Sequence, residues 1–503
     1  MTSLAVTARS VADLSADVVV LGAFSGGDAP TLAVDLPAAA LDHLTTALSA
    51  LGFTAAAESS VVLVAVPGLD ARRVVVVGLG ARPEKKKALD AAVLRRSVGA
   101  ALRSIIDAER VAVALPVPSA DHVAAVAEGA ALGAYRFTAQ RGTSDAPTVV
   151  DTITIVSERG RDSAVKAAVS RASAVAQAVG YARDLVNTAP NLLYPQTFAD
   201  SVKQRAAGTK VKVAVLDEKA LVKGGFGGIV GVGQGSVHPP RIVSLSYAPA
   251  GKKSKLPHLA LVGKGMTFDS GGLDIKPANH MANMKSDMAG AAAVAGAVLA
   301  IAELGLPIRV TGWLGLAENM PSGSAQRASD VVTMHNGMTV EILNTDAEGR
   351  MVLADVMTLA GEESPTAIVD IATLTGAQVV ALGLEVAAVM GNDDEFRTRV
   401  CSAGDDMGED LWPMPLPAAY RKGLDTEVAD IAHKGGPAGG MLTAGLFLQE
   451  FVPQVDGEAI PWAHVDIAGP SFNEQGPRGF TPKGGTGFGV ATLVRLAELL
   501  SQS

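Results

Sequence analysis

Short apolar runs alternate with longer stretches of helical periodicity along this chain, and the alternation occurs twice. That pattern leaves few ways to fold. Strand-like runs separated by helical stretches build a sheet covered by helices, because each element must bury one face against its neighbour. In the first part, Asp17 to Leu21, Val61 to Val66, Val74 to Gly78 and Val111 to Leu115 read as strands, and Lys86 to Ala108 and Ala120 to Tyr135 read as helices. The polar stretch Thr138 to Pro147 interrupts the series, and Val149 to Val156 reads as a closing strand. A helical pattern then runs from Ser163 to Val186 and stops at Asn187-Thr188-Ala189-Pro190-Asn191, because proline pushes the residue before it out of the helical region. In the second part, Leu259 to Val262, Ile308 to Leu314, Ala367 to Ile371 and Val386 to Met390 read as strands, and Lys285 to Leu304, Met351 to Gly361 and Gly440 to Phe451 as helices. The glycine-dense segment Gly224 to Gly235 reads as a flexible or tightly packed loop. The expected fold class is α/β, with two domains, each a mainly parallel or mixed sheet flanked by helices. The boundaries are 1–158, a connecting helix at 159–186, and a larger domain at 187–503. A chain of 503 residues is long for one core, which agrees.

Composition narrows the function classes. Apolar residues make up 48% of the chain, while only 4% are aromatic, so Ala, Val and Gly fill the interior. The net charge is −9 and neither end carries a long basic run, so no nucleic-acid partner is expected. Lys85, Lys86 and Lys87 read as the solvated start of a helix. Cys401 is the only cysteine, which excludes an intramolecular disulfide and a multi-cysteine zinc site and suits a reducing compartment. Met1 to Asp17 lacks a basic-then-apolar signal pattern, and the most apolar stretch, Met288 to Ala302, is shorter than the roughly 20 residues a bilayer span needs. The expected location is cytoplasmic, with no membrane partner.

Three segments carry ionisable residues where strands should meet loops, the place where sites gather in α/β sheets. Val262 to Gly272 runs from an apolar strand into Lys264, Asp269 and a glycine pair, and Lys276 follows. Met284 to Gly290 places Asp287 ahead of a helix of small apolar residues. Asn344-Thr345-Asp346-Ala347-Glu348-Gly349-Arg350 spaces two carboxylates i, i+2, read as one side of an extended segment, ahead of an arginine and an apolar helix. Each alone has an ordinary reading: a glycine loop, a helix-start carboxylate favoured by the macrodipole, a charged turn. Together, Asp269, Asp287, Asp346 and Glu348 supply four carboxylates, which two divalent cations would neutralise and which would otherwise repel. The histidines form no His-Glu-x-x-His helix, and His464 reads as a buried structural residue. Gly78-Leu79-Gly80 lacks the third glycine of a dinucleotide fingerprint, and no Gly-x-Ser-x-Gly elbow with a triad is present.

At these segments the chain resembles the leucine aminopeptidase family, the cytosolic leucyl aminopeptidases also called aminopeptidase A in bacteria. Asn344 to Arg350 is similar to its signature heptapeptide. Asn187 to Asn191, Val262 to Gly272, Met284 to Gly290, Ala372 to Ala377 and Asp466 to Gly469 match in order and separation, so the resemblance spans about residues 180 to 500. It implies a two-metal-dependent aminopeptidase, its catalytic domain C-terminal. The enzyme would release leucine or other apolar residues from peptide N-termini by metal-activated water attack, in intracellular peptide turnover. Lys264, Asp269, Asp287, Asp346 and Glu348 would hold two divalent cations, manganese or zinc or magnesium. Asp269 and Glu348 would bridge them, and Lys264 would ligate as a neutral amine. Lys276 and Arg350 would be catalytic, the arginine cradling a bicarbonate that serves as general base. Met284, Thr373, Gly376 and Ala468 would line the first side-chain pocket. The implied assembly is a homohexamer. The sequence departs from commoner family versions at Ala278 to Asn283, at Met351 and at Pro470-Ser471, which bears on side-chain preference and leaves the ligands intact.

Two other classes frame this expectation. A non-catalytic or DNA-binding protein would not need a complete ligand set. A different two-metal hydrolase, such as a phosphatase, would rarely use a metal-bound lysine.

Overall fold

A computed structural model of the chain describes residues 2–26, 29–84, 89–142, 148–251 and 256–502. The chain divides into two compact units: Met1–Gly180 with Glu474–Lys483, and Tyr181–Asn473 with Gly484–Ser503. Most of the stretch read as a connector, 159–186, lies in a single helix, Ser163–Asn187, and the division falls within it, after Gly180. The ten-residue return of the chain to the first unit at Glu474–Lys483 has no counterpart in the sequence reading.

The first unit is built on a seven-stranded sheet: β1 (Ser3–Thr7), β2 (Ala16–Ser25), β3 (Thr31–Leu32), β4 (Ser60–Leu63), β5 (Ala71–Ala81), β6 (Arg110–Ala114) and β7 (Thr152–Val156). The order is β1-β7-β6-β2-β5-β4, with β3 beside β2. Strands β1, β7, β6, β2 and β5 pair in parallel, and β4 runs antiparallel at the edge. The Val-rich centre of β2 is buried on both faces, which is why it reads as an unbroken apolar run and not as an alternation. The helix expected from Lys86 spans Ala91–Ser104, capped by the Asp90 side chain, and ends where Ile105 turns extended. Lys85, Lys86 and Lys87 lie outside the described residues.

The second unit centres on an eight-stranded mixed sheet. Its order is Leu411–Pro413, Ala387–Gly391, Trp462–Asp466, Ala367–Ala372, β10 (His258–Asp269), β11 (Arg309–Asn319), β9 (Arg241–Tyr247) and β8 (Lys212–Leu216). The four central strands, Trp462–Asp466 to β11, run parallel, with antiparallel pairs on either side. The sheet is therefore mixed, one of the two forms expected. Ala289–Leu304, made of small residues, is buried along nearly its whole length. Gly290 is required there, because a Cβ would sit 2.1 Å from the Ile371 carbonyl oxygen. The apolar stretch at 278–304 is long enough to cross a membrane, but 83% of its most apolar window is buried inside the fold, as expected of a core helix.

The glycine-dense segment expected as a loop contains a short buried helix, Gly227–Gly233. Asp355, from the helix Gly349–Gly361, accepts hydrogen bonds from the Ile229 amide (3.0 Å) and the His335 amide (2.9 Å), and so caps that helix from another element.

Candidate metal centre

The centre forms at the carboxyl ends of the parallel strands. Lys264 and Asp269 lie on β10, where a register shift between Met266 and Phe268 adjusts the strand before it ends. Asp269 faces Asn319 at the end of β11. Asp287 closes the single 3-10 turn Met284–Ser286, two residues ahead of the long helix, and its side chain turns into the site instead of capping the helix. Asp346 and Glu348 sit in a turn leading into the helix Gly349–Gly361, not in the extended segment expected. The Asn344 side chain accepts from the Asp346 amide at 2.7 Å, and the Ala347 amide donates to the Asn344 carbonyl at 3.1 Å. The turn still brings the two carboxylates together. Oxygens of Asp269, Asp346 and Glu348 lie within 4.8 Å of one another.

The lysines interleave with the acids. The Lys264 ammonium, 3% exposed, donates to Asp287 Oδ1 (2.8 Å) and the Thr373 carbonyl (2.8 Å), and it pairs with Glu348 Oε1 at 2.9 Å. Lys276 pairs with Asp269 Oδ2 at 2.8 Å and with Asp346. Two ammonium groups therefore face four carboxylates, and the cluster keeps an excess of negative charge. Burial, reinforced by Glu348 and Asp287, pushes the Asp269 carboxyl up to about 8. Burial pushes Asp287 up to about 6. Glu348 moves the other way: burial raises it, but Lys264 and Lys276 outweigh that and hold it ionised. Burial alone would lower Lys264, yet Asp287, Glu348 and Asp269 keep its amine protonated. Cation charge at this position would reverse that balance.

The donor set fits divalent cations. The oxygens are hard ligands, they converge, and Asp287 Oδ2 is buried with no hydrogen-bond partner. Arg350, in the first turn of the helix, is buried. One of its nitrogens donates to the His433 carbonyl at 2.9 Å, while Nε has no partner, which leaves a donor for a small anion. Burial brings the guanidinium down to about 10, still charged at neutral pH.

The residues expected at the side-chain pocket are tied to the same framework. The Asp287 amide donates to the Met284 carbonyl at 3.3 Å, and the Thr373 hydroxyl donates to Asp287 Oδ1 at 2.6 Å. Asp466 accepts from the Leu374 and Ala468 amides at 3.0 and 3.2 Å and from the Thr375 hydroxyl at 2.7 Å. It thereby joins the Thr373–Gly376 loop to Ala468. A Cβ on Gly376 would meet nothing within 4 Å.

Three supporting residues were not found from sequence. Asn319 donates to Asp269 Oδ1 (2.9 Å) and to the Thr345 carbonyl (3.0 Å). Asp466 has just been described. His433 accepts from the Leu343 amide through Nδ1 (3.1 Å) and lies 2.8 Å from the Asn344 carbonyl through Nε2. The Leu343 amide and the Asn344 carbonyl suit a neutral ring with its proton on Nε2, and Nδ1 also lies 3.2 Å from the Glu341 carbonyl. His464 is fully buried against Asp370, 2.5 Å away, which agrees with its reading as structural.

His433 gives the centre an acid limit. Burial and the neighbouring Arg350 hold its pKa at about 4, below the 6.5 of a free imidazole. The folded state therefore binds fewer protons than the unfolded chain between these values. Stability present above pH 6.5 is lost as pH falls toward 4, by up to about 3 kcal/mol. Denaturant melts of wild type and His433→Asn at a series of pH values should show a lower plateau but a flatter acid slope in the variant. An equally steep slope would rule out His433 as the responsible group.

The sequence matches the family model described as the cytosol aminopeptidase family, catalytic domain, over residues 180–494, and that family's N-terminal domain model over residues 20–143. The chain belongs to the cytosol aminopeptidase family. Aminopeptidase activity follows from that membership. A probable cytosol aminopeptidase of Streptomyces griseus is 52% identical, over 99% of this chain and 98% of its own, and one of Micrococcus luteus is 49% identical over 98% of each. Among solved structures, the bottromycin maturation enzyme BotP in complex with Mn matches with TM-score 0.83 and 38% identity, covering 97% of this chain and all of its own. A mutant of tomato leucine aminopeptidase matches at TM-score 0.84 and 30% identity, covering 99% and 97%. Cytosol aminopeptidase family members thus resemble this chain in both units.

Proposed function

We propose that this aminopeptidase depends on two divalent cations and releases leucine and other apolar residues from peptide N-termini. The observation that carries the reading is the convergence of three carboxylates within 4.8 Å, beside the unpartnered buried oxygen of Asp287. Lys264, Asp269, Asp287, Asp346 and Glu348 would hold the ions. Manganese is favoured by the Mn-bound BotP relative, and zinc or magnesium are the alternatives. When bound, the cations would supply Lewis acidity toward the first peptide carbonyl and a water activated near neutral pH.

The chain's own residues do the rest. Lys276 stays protonated beside its carboxylates and can stabilise negative charge developing on the carbonyl oxygen. Arg350, charged and with its Nε lacking a partner, can hold a bicarbonate as proton acceptor. Met284, Thr373, Gly376 and Ala468 would receive the first side chain, and the open space over Gly376 suits a branched apolar one. A homohexamer in the cytoplasm, turning over peptides, belongs to the same reading. Relatives named for the cytosol support the location, and light scattering would test the hexamer.

Chelation followed by dialysis should abolish cleavage of a leucine anilide, by about 100-fold or more, and added manganese should restore it. The stripped protein should also melt earlier, since ions present at 100 times their Kd contribute about 2.7 kcal/mol. Full activity after verified metal removal would refute the proposal, and turnover of a phosphate ester without peptide cleavage would favour the phosphatase class.

A further inference from the structure

The first unit carries a cleft of about 790 Å³ that the peptidase chemistry leaves unused. Most of its lining follows directly on the carboxyl ends of parallel strands, with Leu32 to Asp35 and Leu89 completing it. Arg9 comes just after β1, Arg159 just after β7, Leu115, Pro116 and Val117 just after β6, and Arg82 just after β5. The strand order places this edge at a reversal. From β2 the chain reaches β5 on one side, then crosses to β6 on the other. Open parallel sheets bind ligands outside their carboxyl ends at such a switch, because the connections diverge and leave a crevice.

The lining also selects the ligand. Three guanidiniums (Arg9, Arg82, Arg159) and two carboxylates (Asp35, Glu158) share the cleft with an apolar wall from β6. Arg82 lies 5.0 Å over the Phe24 ring, Arg159 pairs with Asp162 at 2.8 Å, and Arg9 donates to the Asp13 carbonyl. A guanidinium has five N–H donors, so each keeps donors for a second partner. A bare anion would be repelled by Asp35 and Glu158. A ligand with an anionic group, hydroxyl donors and a flat apolar body would use all three kinds of group. The cleft also falls in the roughly 300–1,000 Å³ range of small-molecule sites. We infer that the first unit binds a nucleoside phosphate in this cleft, its phosphate on the arginines, its sugar hydroxyls on the carboxylates and its base on the β6 wall. Gly78-Leu79-Gly80 lacks the third glycine of a dinucleotide fingerprint, so side-chain guanidiniums take the place of a backbone cradle.

The test is calorimetric titration of the full chain with ADP, adenosine and inorganic phosphate, which reads binding independently of peptide cleavage. Arg82→Gln and Arg159→Gln remove surface charges and should each weaken ADP at least ten-fold. Ala8→Trp, on an exposed lining residue, should block it by volume. Retained leucine anilide turnover would show that the three variants are folded. ADP should saturate and bind more tightly than adenosine or phosphate. No saturable ADP binding, ADP binding unaltered in all three variants, or adenosine or phosphate binding as tightly as ADP would each overturn the assignment.

Discussion

Glu348→Gln should fold normally and lose peptide turnover on the order of 10³-fold, equivalent to about 4 kcal/mol of transition-state stabilisation. The substitution keeps the volume of a side chain that is 4% exposed, so packing is little changed. It removes the negative charge that pairs with Lys264 at 2.9 Å and stands among the carboxylates of Asp269 and Asp346. It also sets an amide nitrogen, which cannot coordinate a cation, where a carboxylate oxygen was. Metal analysis should show lost ion binding, and steady-state kinetics on a leucine anilide with manganese in excess should show a fall in kcat. Activity equal to wild type would remove Glu348 from the ligand set and with it the two-cation reading.

The second large effect is expected one residue later. A Cβ at Gly349 would lie 2.4 Å from Lys264 Cε and 2.8 Å from its Nζ. An exposed lysine would swing away at little cost. Lys264 cannot, because Asp287, the Thr373 carbonyl and Glu348 hold its ammonium in a buried slot. Gly349→Ala should therefore displace the lysine by the better part of an ångström, and a shift of that size costs about 10² in rate. Crowding a buried side chain also costs about 1–3 kcal/mol, so the melting temperature should fall by a few degrees while the variant stays folded at assay temperature. Kinetics and thermal melts on the same preparation separate the two effects. Turnover within about three-fold of wild type would mean that the slot is looser than the packing indicates.

The parts of the site legible in sequence were those whose chemistry is local. Lys264, Asp269, Asp287, Asp346, Glu348 and Arg350 all stand where an apolar run breaks into glycine or charge, and the structure brings them together. Asn319 and His433 reach the site across 50 and 83 residues of chain and carry no pattern of their own. Asp466 opens a segment that carries the family resemblance, but its job of holding the Thr373–Gly376 loop depends on strand pairing. For the fold, the apolar runs of β2 and β5 are legible but shorter than the strands, because glycines break the runs near their carboxyl ends and Arg72-Arg73 open β5. The helix Asp394–Met407 is illegible for a different reason. Asp393 accepts from the Phe396 amide as a helix cap, so the signal was present, but the following charged stretch has too little apolar periodicity to reveal a helix.

The return of the chain to the first unit sets a clock on biosynthesis. Phe480 covers Gly99 so closely that a Cβ there would lie 2.5 Å from the phenylalanine Cβ, and Arg103 donates to the Gly479 carbonyl, 376 residues further on. At about 5–20 residues per second, a ribosome needs roughly 20 to 75 s to travel between those partners. During that interval the sheet of the first unit can assemble while the face around Gly99 stays wet. The unit made first is thus among the last to be finished, and a nascent chain arrested before residue 479 would carry an N-terminal body with an unsealed seam.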